Sequence, residues 1–134
     1  MTVPYTFGNQ TGPIPLSELD ANFSYVEDQT AQVNVLSYGA DPTGSTDSSN
    51  AFSLAVAAVG NGVVYVPTGT YKILNGITIN TSVIFNGESP GASIIKPVGN
   101  FDVFTFTGGS QGAGITNLGF DGSGMTNGTC VVVD

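Results

Sequence analysis

The sequence has no histidine, a single cysteine (Cys130) and two basic residues, Lys72 and Lys96, in 134 positions. Without histidine, the Ser-His and Cys-His nucleophile pairs, the usual zinc sites and the commonest general base are all missing. One cysteine cannot close an internal disulfide, and Cys130 sits in an apolar run where it reads as a small core residue. Two cations against 10 acidic residues leave a net charge of −8, with no basic stripe to neutralise phosphates and no polybasic membrane patch. Nucleic acid is therefore not an expected partner. No apolar run approaches the roughly 20 residues a transmembrane helix needs, so no membrane insertion is expected. The start, Met1-Thr2-Val3-Pro4-Tyr5, has neither the basic nor the apolar region of a signal peptide. No metal, cofactor or catalytic residue is assigned to this chain.

What is present points to an all-β chain. Glycine is frequent, at 19 residues, charged residues make up only 9%, and the 40% hydrophobic content comes largely from Val, Ile, Phe and Ala in short runs. β-Branched and aromatic residues suit a pleated surface, and glycine supplies turn conformations that other residues resist. Beyond Gly62 the runs follow one another about every ten residues: 63–66, 71–74, 77–79, 83–85, 93–95, 103–106, 115–120 and 130–133. Turn signals close them, among them Asn75-Gly76, Asn86-Gly87, Asp121-Gly122 and Asn127-Gly128. Such dipeptides also mark hairpins, so a meander or sandwich competes. Runs that read as apolar throughout, and a recurrence at about twenty residues between 63–66 and 83–85, favour a solenoid.

Two earlier segments organise the rest. Residues 1–30 form a leader in which Pro13 and Pro15 hold Ile14 extended, and Ser17 with Asp20 starts a short helix over about 18–28. Its Leu16, Leu19, Phe23 and Val26 are spaced three, four and three, which fits either an oligomer seam or a helix packing on its own chain. Residues 31–134 begin with a strand at 34–38 and a turn at Gly39–Gly44. A helix follows, N-capped by Asp47 and ending at Gly60-Asn61-Gly62. A solenoid's first coil leaves its core open, so this helix is expected to plug it with Phe52, Val56 and Val59.

The stretch Val35-Leu36-Ser37-Tyr38-Gly39-Ala40-Asp41-Pro42-Thr43-Gly44-Ser45-Thr46-Asp47, then the helix, then Gly62-Val63-Val64-Tyr65-Val66-Pro67-Thr68-Gly69-Thr70-Tyr71, resembles the entry of the pectate-lyase-like superfamily. Ile115 to Gly122 is similar to a recurring coil of the same superfamily. The resemblance implies a right-handed parallel β-helix, here its N-terminal coils capped by a short α-helix. Met1 to Phe7 with Gly12 to Phe23 is similar to the leader of phage tailspike and tail-fibre proteins. That likeness implies a virion location, docking on a tail, baseplate or adaptor protein through residues 1–30, and a homotrimer. Ile14, Pro15, Leu16, Leu19, Phe23 and Val26 are the expected attachment residues.

The alternative is the non-catalytic head of a polysaccharide depolymerase, with host surface polysaccharide bound by a downstream region. Such enzymes use paired carboxylates. Asp41, Asp47, Glu88 and Asp121 each occupy a turn or cap that favours a short polar side chain for structural reasons, and Asp102 with Asp121 is the one pair to consider. Gly108 to Gly114 lacks the Lys-Ser/Thr of a phosphate loop and reads as a turn between coils. The apolar run at Cys130–Val133 has no polar cap after it, so further coils are expected to follow, and this segment alone is expected to be poorly soluble.

Overall fold

The computed structural model describes residues 32–134, and the helix expected at about 18–28 lies outside them. The chain enters through β1 (Gln32–Asn34) and turns at once into a 3-10 segment, Val35–Tyr38. The Asn34 side chain accepts the Leu36 N–H at 2.9 Å, and Gly39, at φ 94°, donates back to the Leu36 and Val35 carbonyls. This corrects the strand read at 34–38. An asparagine that offers its neighbour a local acceptor competes with a strand ladder, and a left-handed glycine then ends the segment.

β2 (Thr43–Asp47) leads into α1 (Ser49–Val59), followed by β3 (Gly62–Val66), β4 (Gly69–Ile73) and β5 (Ile77–Ile79). Next come β6 (Val83–Gly87), β7 (Ser93–Pro97) and β8 (Phe104–Phe106), then β9 (Gly114–Thr116), β10 (Gly119–Phe120) and β11 (Val131–Val133). They form three sheets, ordered β1-β3-β6-β9, β2-β4-β7-β10 and β5-β8-β11, in which every strand pairing is parallel. The chain visits the three sheets in rotation, so each triplet of strands is one coil stacked on the last, which makes a parallel β-helix. Parallel pairing throughout removes the hairpin reading of the Asn-Gly steps.

The rise from one coil to the next takes 21 residues from Gly62 to Val83 but 31 from Gln32 to Val63. The twenty-residue recurrence is therefore real for β3 and β6 and too short elsewhere, because turns of unequal length separate the strands. Asn86-Gly87 is not a turn but the end of β6. Gly87 is required there because a Cβ would overlap the Asn117 carbonyl of the next coil.

The core is built by alternation. Val64 and Val66 in β3, Tyr71 and Ile73 in β4, Ile77 and Ile79 in β5, and Val83 and Phe85 in β6 point inward and are buried. Register then stacks like on like: Val64 beneath Phe85 beneath Ile115, and Ile77 beneath Phe104 beneath Val131. The runs read as apolar throughout because Val63, Ile84 and Ile94 also occupy outward positions. Ile84 is 36% exposed.

The first coil supplies β1 and β2 to two of the sheets but no strand to the third, whose first member is β5. α1 packs against β5, β3 and β1 and stands where that strand would be. Phe52 is fully buried, Val56 nearly so, and Val59 packs half-buried at the edge of the core. The Phe52 ring lies 5.7 Å from Tyr71, edge-on, 6.1 Å from Phe85 and 6.3 Å from Phe104. Phe85 and Phe104 are 4.8 Å apart, and Phe120 continues the column 6.0 Å beyond Phe104. The outer side of the helix carries Asn50 and Ser53 together with Leu54, Ala57 and Ala58.

Truncating a buried phenylalanine costs about 3–5 kcal/mol through lost transfer energy and the cavity left behind. Phe52→Ala is expected to lose unfolding free energy in that range, with a matching fall in the thermal midpoint. Leu54→Ala, at 45% exposure, is expected to shift stability by no more than about 0.5 kcal/mol. Thermal denaturation of the two variants side by side tests the inward face of α1; equal losses would contradict it.

Candidate functional site

The sequence places its polar chemistry at the junction of loop, helix and second coil. Ser48, not Asp47, holds the N-cap position of α1 and makes no side-chain cap. Its buried hydroxyl instead accepts the Asp41 N–H at 2.9 Å. Asp47 lies one residue earlier, at the end of β2, and reaches forward. Its Oδ1 accepts the Ser49 N–H at 2.9 Å, the Ser49 hydroxyl, and the Leu74 N–H at 3.1 Å. The Ser49 Oγ in turn accepts the N–H groups of Leu74 and Asn75. Asp47-Ser48-Ser49 thus ties the helix start to the end of β4, one coil on. Sequence reasoning found the aspartate and missed both serines, for which the signal was a pair of small hydroxyl residues directly after Asp47.

Asp41 closes the loop before the helix. Its carboxylate accepts from the Thr43 N–H and hydroxyl, the Ser45 N–H, and the Thr46 N–H and hydroxyl. Hydrogen bonds from Thr43 above all, then from Thr46, hold its pKa far below the ordinary carboxylate value. Partial burial would raise the pKa of Asp47, but the donors from Ser49 and Leu74 outweigh it and Lys72 adds to them, so the net shift is downward. Asp121 is lowered by Ser123 first and then by Lys96. Burial pushes the Tyr71 phenol up to about 12, and its hydroxyl donates to the Pro67 carbonyl at 2.9 Å.

These carboxylates are locked as anions by structural donors, the opposite of the raised value a general acid needs. Asp102 and Asp121 are not joined. Asp102 accepts the Thr129 N–H at 2.9 Å ahead of β8, while Asp121 pairs with Lys96 at 3.4 Å beyond β10. Among the described residues, no group of three or more His, Cys, Asp or Glu gathers to hold a metal. Cys130 is half-buried rather than a core residue, with its carbonyl accepting the Phe104 N–H. The Gly108–Gly114 segment is a pair of tight turns closed on Thr107 and Ser110. At the β9–β11 end, a cavity of about 420 Å3 is walled mainly by apolar side chains, among them Phe106, Ile115, Phe120, Val131 and Val133, with Ser110 as a polar member. Ile14, Pro15, Leu16, Leu19, Phe23 and Val26 lie outside the described residues.

The family model described as "Rhamnogalacturonase A/epimerase, pectate lyase-like" matches residues 32–133. Alginate lyase 7 of Azotobacter vinelandii is 32% identical over 81 residues, covering 53% of this chain and 10% of that protein. Among solved structures, ORF18 of Geobacillus virus E2 superposes with a TM-score of 0.63 at 25% identity, over 90% of this chain and 28% of that one. The catalytic unit of a thermostable GH87 alpha-1,3-glucanase from Streptomyces thermodiastaticus gives a TM-score of 0.57 at 30% identity, over 66% and 16%. The chain thus spans less than a third of each of these relatives.

The lowered carboxylates carry a sign that can be tested. A group whose folded pKa is depressed contributes stability that is fully present above its unfolded value, 3.8 for aspartate, and is lost as pH falls toward the folded one. Denaturant midpoints measured from neutral pH downward are expected to fall in this acid window. Asp41→Asn is expected to be less stable than the parent at neutral pH, with the gap closing as pH drops; a gap independent of pH would contradict the assignment.

Proposed function

The chain belongs to the rhamnogalacturonase A/epimerase, pectate lyase-like family, and from that premise we propose that it is the head of a phage tail spike or tail fibre. In this reading residues 1–30 dock on a tail, baseplate or adaptor protein, with Ile14, Pro15, Leu16, Leu19, Phe23 and Val26 as the contact residues. The coils over residues 31–134 begin a host-binding β-helix body that assembles as a homotrimer in the virion. We take the coils as right-handed, the sense that parallel crossovers adopt almost without exception. The observation that carries the reading is the likeness to the viral ORF18, which extends over 90% of this chain. The sequence of the leader supports it independently.

A second reading has its own support. The lyase and glucanase among the relatives favour a polysaccharide depolymerase for the whole protein, with this segment as its non-catalytic head. The commitment of Asp41, Asp47, Asp102 and Asp121 to structural donors agrees with a catalytic pair elsewhere.

Deleting residues 1–28 from the gene in its phage is expected to abolish incorporation into particles while the coils still fold. Immunoblotting of purified virions measures it. Normal incorporation of the shortened protein would overturn the docking role.

A further inference from the structure

An asparagine followed by glycine lets a main-chain nitrogen attack the neighbouring side-chain amide, because glycine brings no Cβ to crowd the approach. The sequence holds four such steps, Asn61-Gly62, Asn75-Gly76, Asn86-Gly87 and Asn127-Gly128, and the fold treats them differently. Attack requires the glycine nitrogen and the asparagine Cγ to meet. At two steps the groups are committed elsewhere. The Asn61 Oδ1 accepts the Ser82 N–H at 3.0 Å, and the Gly62 N–H donates to the Ser82 carbonyl at 3.1 Å. The Asn86 Oδ1 accepts from the Thr116 hydroxyl at 2.9 Å and from the Asn117 Nδ2 at 3.2 Å, and Gly87 is buried in β6.

Asn127-Gly128 is the reverse. Both residues are exposed on the loop before β11. The Gly128 N–H donates to the Asn127 Oδ1 at 2.9 Å, so the nitrogen already rests against the amide whose carbon, one bond from that oxygen, it would attack. Near-attack conformers, with reacting atoms about 3–3.5 Å apart, remove much of the orientational cost of a reaction. The surrounding backbone is held in place, since the Thr126 and Asn127 N–H groups both donate to the Asn100 Oδ1 at 3.0 Å and the Thr129 N–H donates to the Asp102 Oδ1 at 2.9 Å. Asn75-Gly76 is also exposed, but there the Asn75 N–H is tied to the Ser49 Oγ. Among the described residues, the contact of a glycine N–H with its own preceding asparagine side chain occurs at the Asn127-Gly128 step alone.

We propose that Asn127 is a site of spontaneous deamidation through a cyclic imide. The Gly128 nitrogen gives its proton to hydroxide and bonds to the Asn127 Cγ. The Cγ–Nδ2 bond breaks, and the side-chain nitrogen leaves as ammonia with a proton from water. Water then opens the imide at either carbonyl: opening at Cγ gives aspartate, and opening at the main-chain carbonyl gives isoaspartate, whose main chain runs through the former side chain. A water is consumed and an ammonia released, with no oxidation or reduction. Either product adds a negative charge to a chain of net charge −8. Isoaspartate also lengthens the main chain between the Asn100 anchor and β11, the strand that pairs with β8. The site rests on loop geometry and goes beyond the attachment reading.

The test is incubation of the full chain at mildly alkaline pH, folded and in urea, followed over time by peptide mapping with mass spectrometry. In the folded chain Asn127 is expected to convert about tenfold or more faster than Asn61 and Asn86, and ahead of Asn75. In urea, where the contacts are lost, the four steps are expected to convert at similar rates. Asn127→Gln, whose longer side chain cannot close the same ring, is expected to remove the acidic species that accumulates on anion exchange, and a thermal melt establishes that this variant is folded. An unmodified Asn127 in the folded chain, conversion of any other Asn-Gly step at an equal rate, the same preference for Asn127 in urea, or persistence of the acidic species in the folded glutamine variant would each overturn the proposal. None of these outcomes bears on particle incorporation, so the attachment reading stands or falls separately.

Discussion

A coil in a stacked β-structure is stabilised by the coil beneath it, and the first coil has none. In this protein the missing layer is supplied by Phe52, whose ring closes the end of an aromatic column running through Tyr71, Phe85, Phe104 and Phe120. Each aromatic pair adds about 0.5–1.5 kcal/mol beyond simple burial, and a single ring at the base meets three partners. The rest of the N-terminal architecture follows from holding that ring in place. α1 substitutes for the strand absent from the third sheet, and the Asp47-Ser48-Ser49 triplet fixes where α1 starts by binding backbone groups just after β4 and in the loop at Asp41. The polar cluster thus positions an apolar plug, and the plug allows the parallel sheets to begin.

That division of labour bears on the chemistry. A carboxylate saturated by N–H and hydroxyl donors is an anchor, because its proton affinity has been lowered and its lone pairs are used. Asp41 and Asp47 are of this kind, Asp121 is held by the Ser123 N–H and an exposed pair with Lys96, and the serines beside the helix are spent on backbone groups. The two lysines lie on the outer surface, opposed by sheet register, with Lys96 in an exposed ion pair with Asp121. Family membership fixes the type of scaffold without fixing a reaction, since function resides in sites carried by folds rather than in the folds themselves.

Much of the scaffold was legible in the sequence and some was not, for reasons that can be named. The strand runs from Val63 onward were visible because β-branched residues between glycine turns leave few other options. The helix was visible from its apolar spacing and the Gly60-Asn61-Gly62 stop. The strand misread at 34–38 turned on one side chain: Asn34 and the left-handed Gly39 convert an apolar run into a tight 3-10 segment, and neither effect is encoded in hydrophobic pattern. The inward and outward alternation was hidden by Val63, Ile84 and Ile94, apolar residues on the outer face. The coil length was misjudged because turns of different length separate strands that stack in register, so no single period describes the chain. Asp47 was found as a helix-start residue but its partners were not, because Leu74 and Asn75 come from the next coil and long-range contacts leave no local signal. The lysine pair was invisible for the same reason: positions 72 and 96 become neighbours only through the register of β4 and β7.

The central claim is that α1 is an integral layer of the β-helix rather than an appendage resting on it. Native-state hydrogen exchange reads this directly, because segments that open together exchange with a common free energy. The amides of Ala55 and Val56 in α1 are predicted to share the protection of Tyr71, Phe85 and Phe104 and to lose it in one cooperative opening as denaturant is added. Exchange of the α1 amides at much lower free energy, with the strands still protected, would contradict the account.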